Sequence, residues 1–267
     1  GANAIAIGYQ AGGTNQGART VAIGLAAGGT NQGLAAVAIG DGAGQTGQGR
    51  SAVAIGVFAG NSDQKDGAVA NGNFAGENNQ GANAIAIGNN AGQTDQGESA
   101  VAIGNNAGGT NQGNSAVAMG NNAGNTGQGG SAVAIGVNAG GNKQGVNAIA
   151  IGNNAGTDNQ NKNSIILNAS GSVLNSTDEG FFVEPIRGAT GSKGIFYNES
   201  THELTYADPS GGGTTLVNGD AYSNYIYWDN INTTWQTENS GKVHIGKNAG
   251  QINQGTGAVA IGENAGN

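Results

Sequence analysis

Apolar residues come in short alternating bursts along this chain, and the bursts return every sixteen residues. The stretch NAIAIGNNAGQTDQGESAVAIGNNAGGTNQG, residues 83–113, states the pattern twice. Positions within the unit can be treated as columns, numbered from Gly1. Column 5 runs Ile5, Val21, Val37, Val53, Val69, Ile85, Val101, Val117, Val133, Ile149. Column 7 runs Ile7, Ile23, Ile39, Ile55, Asn71, Ile87, Ile103, Met119, Ile135, Ile151. Ala11 and Gly12 recur in step to Ala155 and Gly156, and Gln16 recurs to Gln160. Ten units fill residues 1–160 with no insertion or deletion, and the frame returns at Val243-His244-Ile245-Gly246 and Val259-Ala260-Ile261-Gly262.

A unit this short cannot hold a helical pair, which needs more than thirty residues. Alternation of Val, Ala and Ile suits a strand, whose side chains leave by opposite faces in turn. Gly-Asn-Asn-Ala-Gly suits a turn, because Gly and Asn tolerate positive φ. The pattern therefore predicts a parallel β-solenoid or β-roll, one coil per unit, with coils about 4.8 Å apart and ten of them about 48 Å long.

Columns 5 and 7 carry the large aliphatics, and the coil core is expected there. The expected core residues are Ile5, Ile7, Val21, Ile23, Val37, Ile39, Val53, Ile55, Ile85, Ile87, Val101, Ile103, Val117, Met119, Val133, Ile135, Ile149 and Ile151. The opposite face of the same strand is almost all alanine, which invites close approach of another backbone. Ala6, Ala22, Ala38, Ala54, Ala86, Ala102, Ala118, Ala134 and Ala150 are expected to form an oligomer face. Two aliphatics per coil contribute about 4–6 kcal/mol. Backbone ordering of sixteen residues costs about 16–30 kcal/mol. That imbalance argues for an oligomer. Asn71 then reads as a polar break in the core, compensated by Phe58 and Phe74 in adjacent coils, since an unpaired buried amide is costly.

The phrases NAIAIGNNAG and SAVAIGVNAG resemble the head repeats of YadA-like trimeric autotransporter adhesins, over residues 1–168 and 243–267. Similar repeats occur in fibre proteins of phages and large viruses. The resemblance implies a β-roll with three chains about one axis, an extracellular place on a cell or virion surface, and a role in attachment.

Between Asn161 and Lys242 the texture changes. Ten of the 13 aromatics, both prolines and nine of the 17 acids lie there. The step from Leu167 to Ile245 is not a multiple of sixteen. An inserted β-domain is expected over 169–242, between repeats at 1–168 and 243–267. KGIFYNESTHELTYAD reads as a hairpin with strands 194–198 and 203–207, and YIYWDNINTTWQT as a second. Asp208 to Gly213 reads as a linker. The insert resembles small β modules of tail-fibre-type proteins. Tyr225, Tyr227, Trp228 and Trp235 are its candidate receptor or glycan contacts, because aromatic faces pack on apolar sugar faces; the same residues would also serve as the insert's core.

Composition narrows the chemistry. Gly numbers 54 of 267 residues, yet Pro numbers two, which excludes collagen. A net charge of −8 speaks against a nucleic-acid surface or a polybasic membrane patch. No cysteine, no transmembrane run and no leader is visible. The chain starts at the first position of one repeat and stops inside another, as a segment of a longer polypeptide would. His202 and His244 stand far apart in the sequence, with no nucleophile elbow. Glu184, Glu199, Glu203, Asp208 and Asp229 are scattered, although a glycosidase needs only two acids. NSDQKDG, 61–67, lacks EF-hand spacing. No catalytic residue, metal or cofactor is assigned. Sequons stand at Asn168, Asn175, Asn198 and Asn232. A column of Thr14, Thr30, Thr46, Thr94, Thr110 and Thr126 opens an alternative, an ice-binding solenoid, although Ser62, Asn78, Asn142 and Asp158 break it. A filament without receptor binding is a further alternative. Otherwise the Thr and Gln columns read as a solvated hydrogen-bonded ladder.

Overall fold

The computed structural model describes residues 1–186, 194–207, 225–229, 234–238, 243–245, 249, 255 and 257–266. Among them every regular element is a strand. The chain divides into two units, residues 1–187 and 188–267.

The first unit is a parallel β-solenoid of sixteen-residue coils. Its main wall is one twelve-stranded sheet. Three-residue strands from Ile5–Ile7 to Ile149–Ile151 stack in chain order, and Ser164–Asn168 and Gly180–Glu184 follow. Each residue pairs with its own column: Ile85 with Val101, Ala86 with Ala102, Ile87 with Ile103. A second wall runs through columns 14 to 16. It forms a three-stranded parallel sheet at Asn78–Gln80, Thr94–Gln96 and Thr110–Gln112. Single bridges continue it elsewhere, as at Thr14–Thr30 and Thr126–Asn142. Corners also bond coil to coil: Gly104 N–H donates to the Ile87 carbonyl at 2.8 Å, and Gly108 N–H to that of Ala123 at 2.8 Å.

The turn columns have a conformational reason. Columns 3, 10 and 15 sit at φ near +55°, as at Ser99, Asn106 and Asn111. L-residues avoid that region, and Asn and Gly visit it most readily, so Asn, Ser and Gly dominate these columns.

The interior reverses the expected assignment. The alanines of column 6, from Ala22 to Ala150, are fully buried, and so are those of columns 4 and 11, such as Ala100 and Ala107. Columns 5 and 7 point outward: column 5 is half-buried from Val21 to Ile149, and in column 7 Ile55, Ile87 and Ile135 are 37%, 39% and 37% exposed. The residues named above as core therefore form the outer face, and the alanines named as oligomer face form the core, except Ala6, which is exposed in the first coil. The cause is the thinness of the coil. A Cβ placed on Gly108 would lie 3.1 Å from the Ala102 Cβ and 2.6 Å from Gln112 Oε1. Between the two walls there is room for methyl groups and one flat amide, but not for a Val or Ile.

The glutamines fill the remainder. Gln32 to Gln160 are all buried, so that column is not solvated. Gln96 Nε2 donates to the Ile85 carbonyl at 2.8 Å and to Gln112 Oε1 at 3.1 Å, while its Oε1 accepts from Gln80 Nε2 at 3.1 Å. The same bonds repeat from coil to coil, so each buried amide is satisfied.

The solenoid continues past the boundary expected at 168. Gly180–Glu184 pairs in parallel with Ser164–Asn168, again sixteen residues on. Here the interior widens: Ile166 replaces alanine and is fully buried, with Leu174 and Phe182 packed against it. Ser176 takes the glutamine's place, its Oγ accepting from the Asn161 N–H at 2.9 Å. Its larger core side chains, and Gly171, Ser172 and Ser176 in the Ala, Gly and Gln columns, make this last turn unlike the repeat.

In the second unit, Gly194–Asn198 and Glu203–Ala207 form an antiparallel hairpin, with the strand limits expected from the sequence. Asn198 Oδ1 accepts from the N–H groups of Ser200 and Thr201 in its turn. Tyr225–Asp229 and Thr234–Glu238 form a second hairpin. Val243–Ile245 pairs in parallel with Val259–Ile261, the sixteen-residue step resumed.

Candidate functional site

The first unit carries an outward aliphatic face along its twelve-stranded sheet. Columns 5 and 7 project from one side of the twelve-stranded sheet, and neither contains a charged residue from Ile5 to Val183. The backbone beneath is held on both sides by the parallel ladder, so the face is flat and repeats about every 4.8 Å. Ile55, Ile87, Met119, Ile135 and Ile151 along it are each more than a third exposed, and a contiguous exposed apolar face of this kind marks an interaction surface.

Column 9 borders this face. Asn105 Nδ2 donates to Asn89 Oδ1, and Asn121 Nδ2 to Asn105 Oδ1, both at 3.2 Å. A second asparagine ladder lies in column 10, where Asn90 donates to Asn106 at 3.1 Å and Asn106 to Asn122 at 3.0 Å. Phe58 and Phe74 share that column and stack at 5.5 Å with 13° between their planes. They brace a corner rather than a core defect. Asn71 is itself exposed in column 7, between Ile55 and Ile87. The amide expected to be a break in the core is a break in the outer apolar face.

The threonine column lies on the other wall. Thr14, Thr30, Thr46, Thr110 and Thr126 are exposed and Thr94 is half-buried. Asp158 and the half-buried Ser62, Asn78 and Asn142 interrupt the rank, and column 15 beside it carries Asp63, Asp95 and Lys143. Two open depressions touch this wall. One, about 420 Å³, lies over Gly13 and Gly29 beside Thr14, Thr30 and Thr46. The other, about 490 Å³, is bordered by Lys65, Asp95, Glu98 and Asn114.

The aromatic candidates lie in the second hairpin. Its register sets Trp228 opposite Trp235, Tyr227 opposite Gln236 and Tyr225 opposite Glu238. In the first hairpin Phe196 and Tyr197 are exposed, and Tyr197 Oη lies 2.9 Å from His202 Nδ1.

The groups weighed for chemistry are dispersed. His202 sits in a hairpin turn, and His244 pairs through its backbone with Ala260. Glu199 and Glu203 flank the first hairpin's turn, Glu184 ends the last solenoid strand and Asp229 ends a strand of the second hairpin. Asp208, with the linker, lies outside the described residues. In 61–67, Asp63 pairs with Lys65 at 3.8 Å, and Asp66 Oδ1 accepts the Arg50 N–H at 2.7 Å. Among the described residues no group of three His, Cys, Asp or Glu is placed to hold a metal ion. Of the sequons, Asn168 is buried and its amide is bonded to the carbonyls of Asn153 and Ser172. Asn175 accepts from the Asp158 N–H, Asn198 is exposed, and Asn232 lies outside the described residues. No helix among the described residues is long and apolar enough to cross a membrane.

Sequence reasoning missed the inner glutamine and the outward aliphatics. The signal was in the variation between units. Column 7 accepts Ile, Asn and Met over the ten units, while column 6 holds only Ala and column 16 only Gln. No protein-family model, curated protein or solved structure matches the chain.

Proposed function

We propose that the chain is a segment of a trimeric fibre or adhesin, in which the Val and Ile columns of three copies meet and the solenoid serves as a stiff extracellular rod. The outward aliphatic face carries this reading. Self-association would take this row of exposed aliphatics out of water on each of three chains. A regular apolar face with no charge suits a partner of equal repeat, and another copy of the chain has that repeat by construction. The expected resemblance to YadA-like heads points the same way, with the contact moved from the alanines to the aliphatics.

In this reading the protein catalyses nothing. The hairpins of the second unit would carry the contact with a cell or virion surface. Three copies of a weak site for a surface glycan or receptor would gain avidity from their linkage. The ice-binding alternative draws on the exposed threonines. Charged neighbours and the broken rank place it second.

The test is solution mass by light scattering. One chain weighs 25.9 kDa, and a trimer weighs three times as much. The threefold mass is expected. A monomer at micromolar concentration would overturn the trimer, and thermal hysteresis of the monomer would then decide for ice binding.

A further inference from the structure

A face that repeats every coil has a difficulty of its own. Two such faces can slide past one another by one coil and recover every contact except those of the end coils. Columns 5 and 7 offer nearly the same Val and Ile pair at each level, so apolar contact alone does not choose the axial register. One residue differs in kind. Asn71 stands in column 7 with Ile55 on one side and Ile87 on the other. Its amide has no polar neighbour in its own column, unlike Asn90, Asn106 and Asn122, which bond along theirs. It is exposed in the single chain and points from the face that self-association would cover.

We infer that Asn71 sets the axial register of the assembly by hydrogen-bonding to Asn71 of the neighbouring copies. This rests on the self-association proposed above. An amide buried against isoleucine loses its water and gains nothing, whereas an amide buried against an amide is satisfied. Only the in-register arrangement brings Asn71 to Asn71. Every slipped arrangement buries each amide among apolar groups. A single buried asparagine fixes register in coiled coils by the same logic, at some cost in stability. Asn71 does not hold the coil's own structure: its backbone pairs in the ladder as isoleucine does at Ile55 and Ile87.

The chain has no cysteine, so introduced ones report cleanly. Asn105 and Asn121 border the face one coil apart. Chains carrying Asn105→Cys and chains carrying Asn121→Cys are refolded together and oxidised, and linked peptides are identified by mass. In register, disulfides join like with like. A one-coil slip joins Cys at 105 to Cys at 121. In the parent background like-with-like links are expected to dominate. Asn71→Ile is expected to raise the mixed links about fivefold, the ratio one hydrogen bond sets between two populations, while mass stays at three chains. Moving the amide one coil, in Asn71→Ile with Ile87→Asn, is expected to restore like-with-like linkage. Unchanged links in Asn71→Ile, or mixed links already prevailing in the parent, would overturn the register role and leave the assembly standing. A parent that is monomeric by mass would overturn both.

Discussion

Gly104 and Ala35 have positive φ for opposite reasons, and each makes a prediction. Gly104 is at φ +126°, and a Cβ there would lie 2.6 Å from the carbonyl oxygen of Gly120 in the next coil. Neither the angle nor the space admits a side chain, and the obstacle is backbone that the ladder holds in place. Gly104→Ala is expected to destabilise the solenoid by at least about 3 kcal/mol, adding left-handed strain to a forced shift of the ladder. Ala35 is at φ +57°, in a turn column where every other coil except that of Arg19 places Asn, Ser or Gly, and its side chain faces water. Ala35→Asn is expected to stabilise by about 0.5–1 kcal/mol, because Asn tolerates that region better. Thermal unfolding of the two variants should move in opposite directions from the parent. A neutral Gly104→Ala would mean that the corners are not stacked as closely as described.

At the scale of the element, the glutamine column does for this fold what a large aliphatic does in a thicker one. Gln96 bonds to its own coil and to the coil on each side. Replacing it with Ala leaves Gln112 Oε1 and the Ile85 carbonyl without this donor in the buried interior, and opens a void. The expected loss is about 2–5 kcal/mol from the orphaned groups and the cavity together. Gln16 lies in the first coil, half-buried, with bonds of 3.4 Å. Gln16→Ala is expected to cost less than about 1 kcal/mol, since its amide keeps access to water, and urea titration of the pair gives the contrast. Equal losses would contradict a buried ladder in the middle coils. Coils couple to their neighbours alone, so the Gln96 variant should also broaden the transition or split it. Strand, turn and coil length were legible from the sequence, as were the limits of the 194–207 hairpin, because period and turn residues act locally. Which strand face is inside was not legible by size. That depends on the distance between two walls, which no single strand encodes. The boundary at 168 was misplaced for a related reason. Ile166, Leu174 and Phe182 fill a wider last coil and so do not look like the repeat.

At the scale of the solenoid unit, the inverted packing separates two kinds of substitution that the sequence alone would rank the other way. If columns 5 and 7 were interior, a lysine there would unfold the coil. With those columns outside, Ile87→Lys with Ile135→Lys places two ammonium groups three coils apart on a surface already open to water. The long stems can lie along neighbouring aliphatics while the charges stay solvated. The folded coil should therefore survive, with far-UV circular dichroism unchanged and little change in the melting of the isolated chain. Assembly should not survive. Burying either lysine between copies removes a charge from water with no carboxylate in columns 5 or 7 to meet it, a cost of several kcal/mol per ion. The mass from light scattering is then expected to fall from that of three chains to that of one, 25.9 kDa. Ala102→Leu is the complementary case. It leaves the outer face untouched but adds three carbons where a methyl on Gly108 would already stand 3.1 Å from the Ala102 Cβ. Overpacking of that kind costs about 1–3 kcal/mol where a core can yield, and more where both walls are held by ladders, as they are here. The leucine variant should lose folded structure while the double lysine variant loses only its partners. A folded Ala102→Leu chain and an unfolded lysine chain would together show that the aliphatic columns are inside after all, and would return the alanines to the surface.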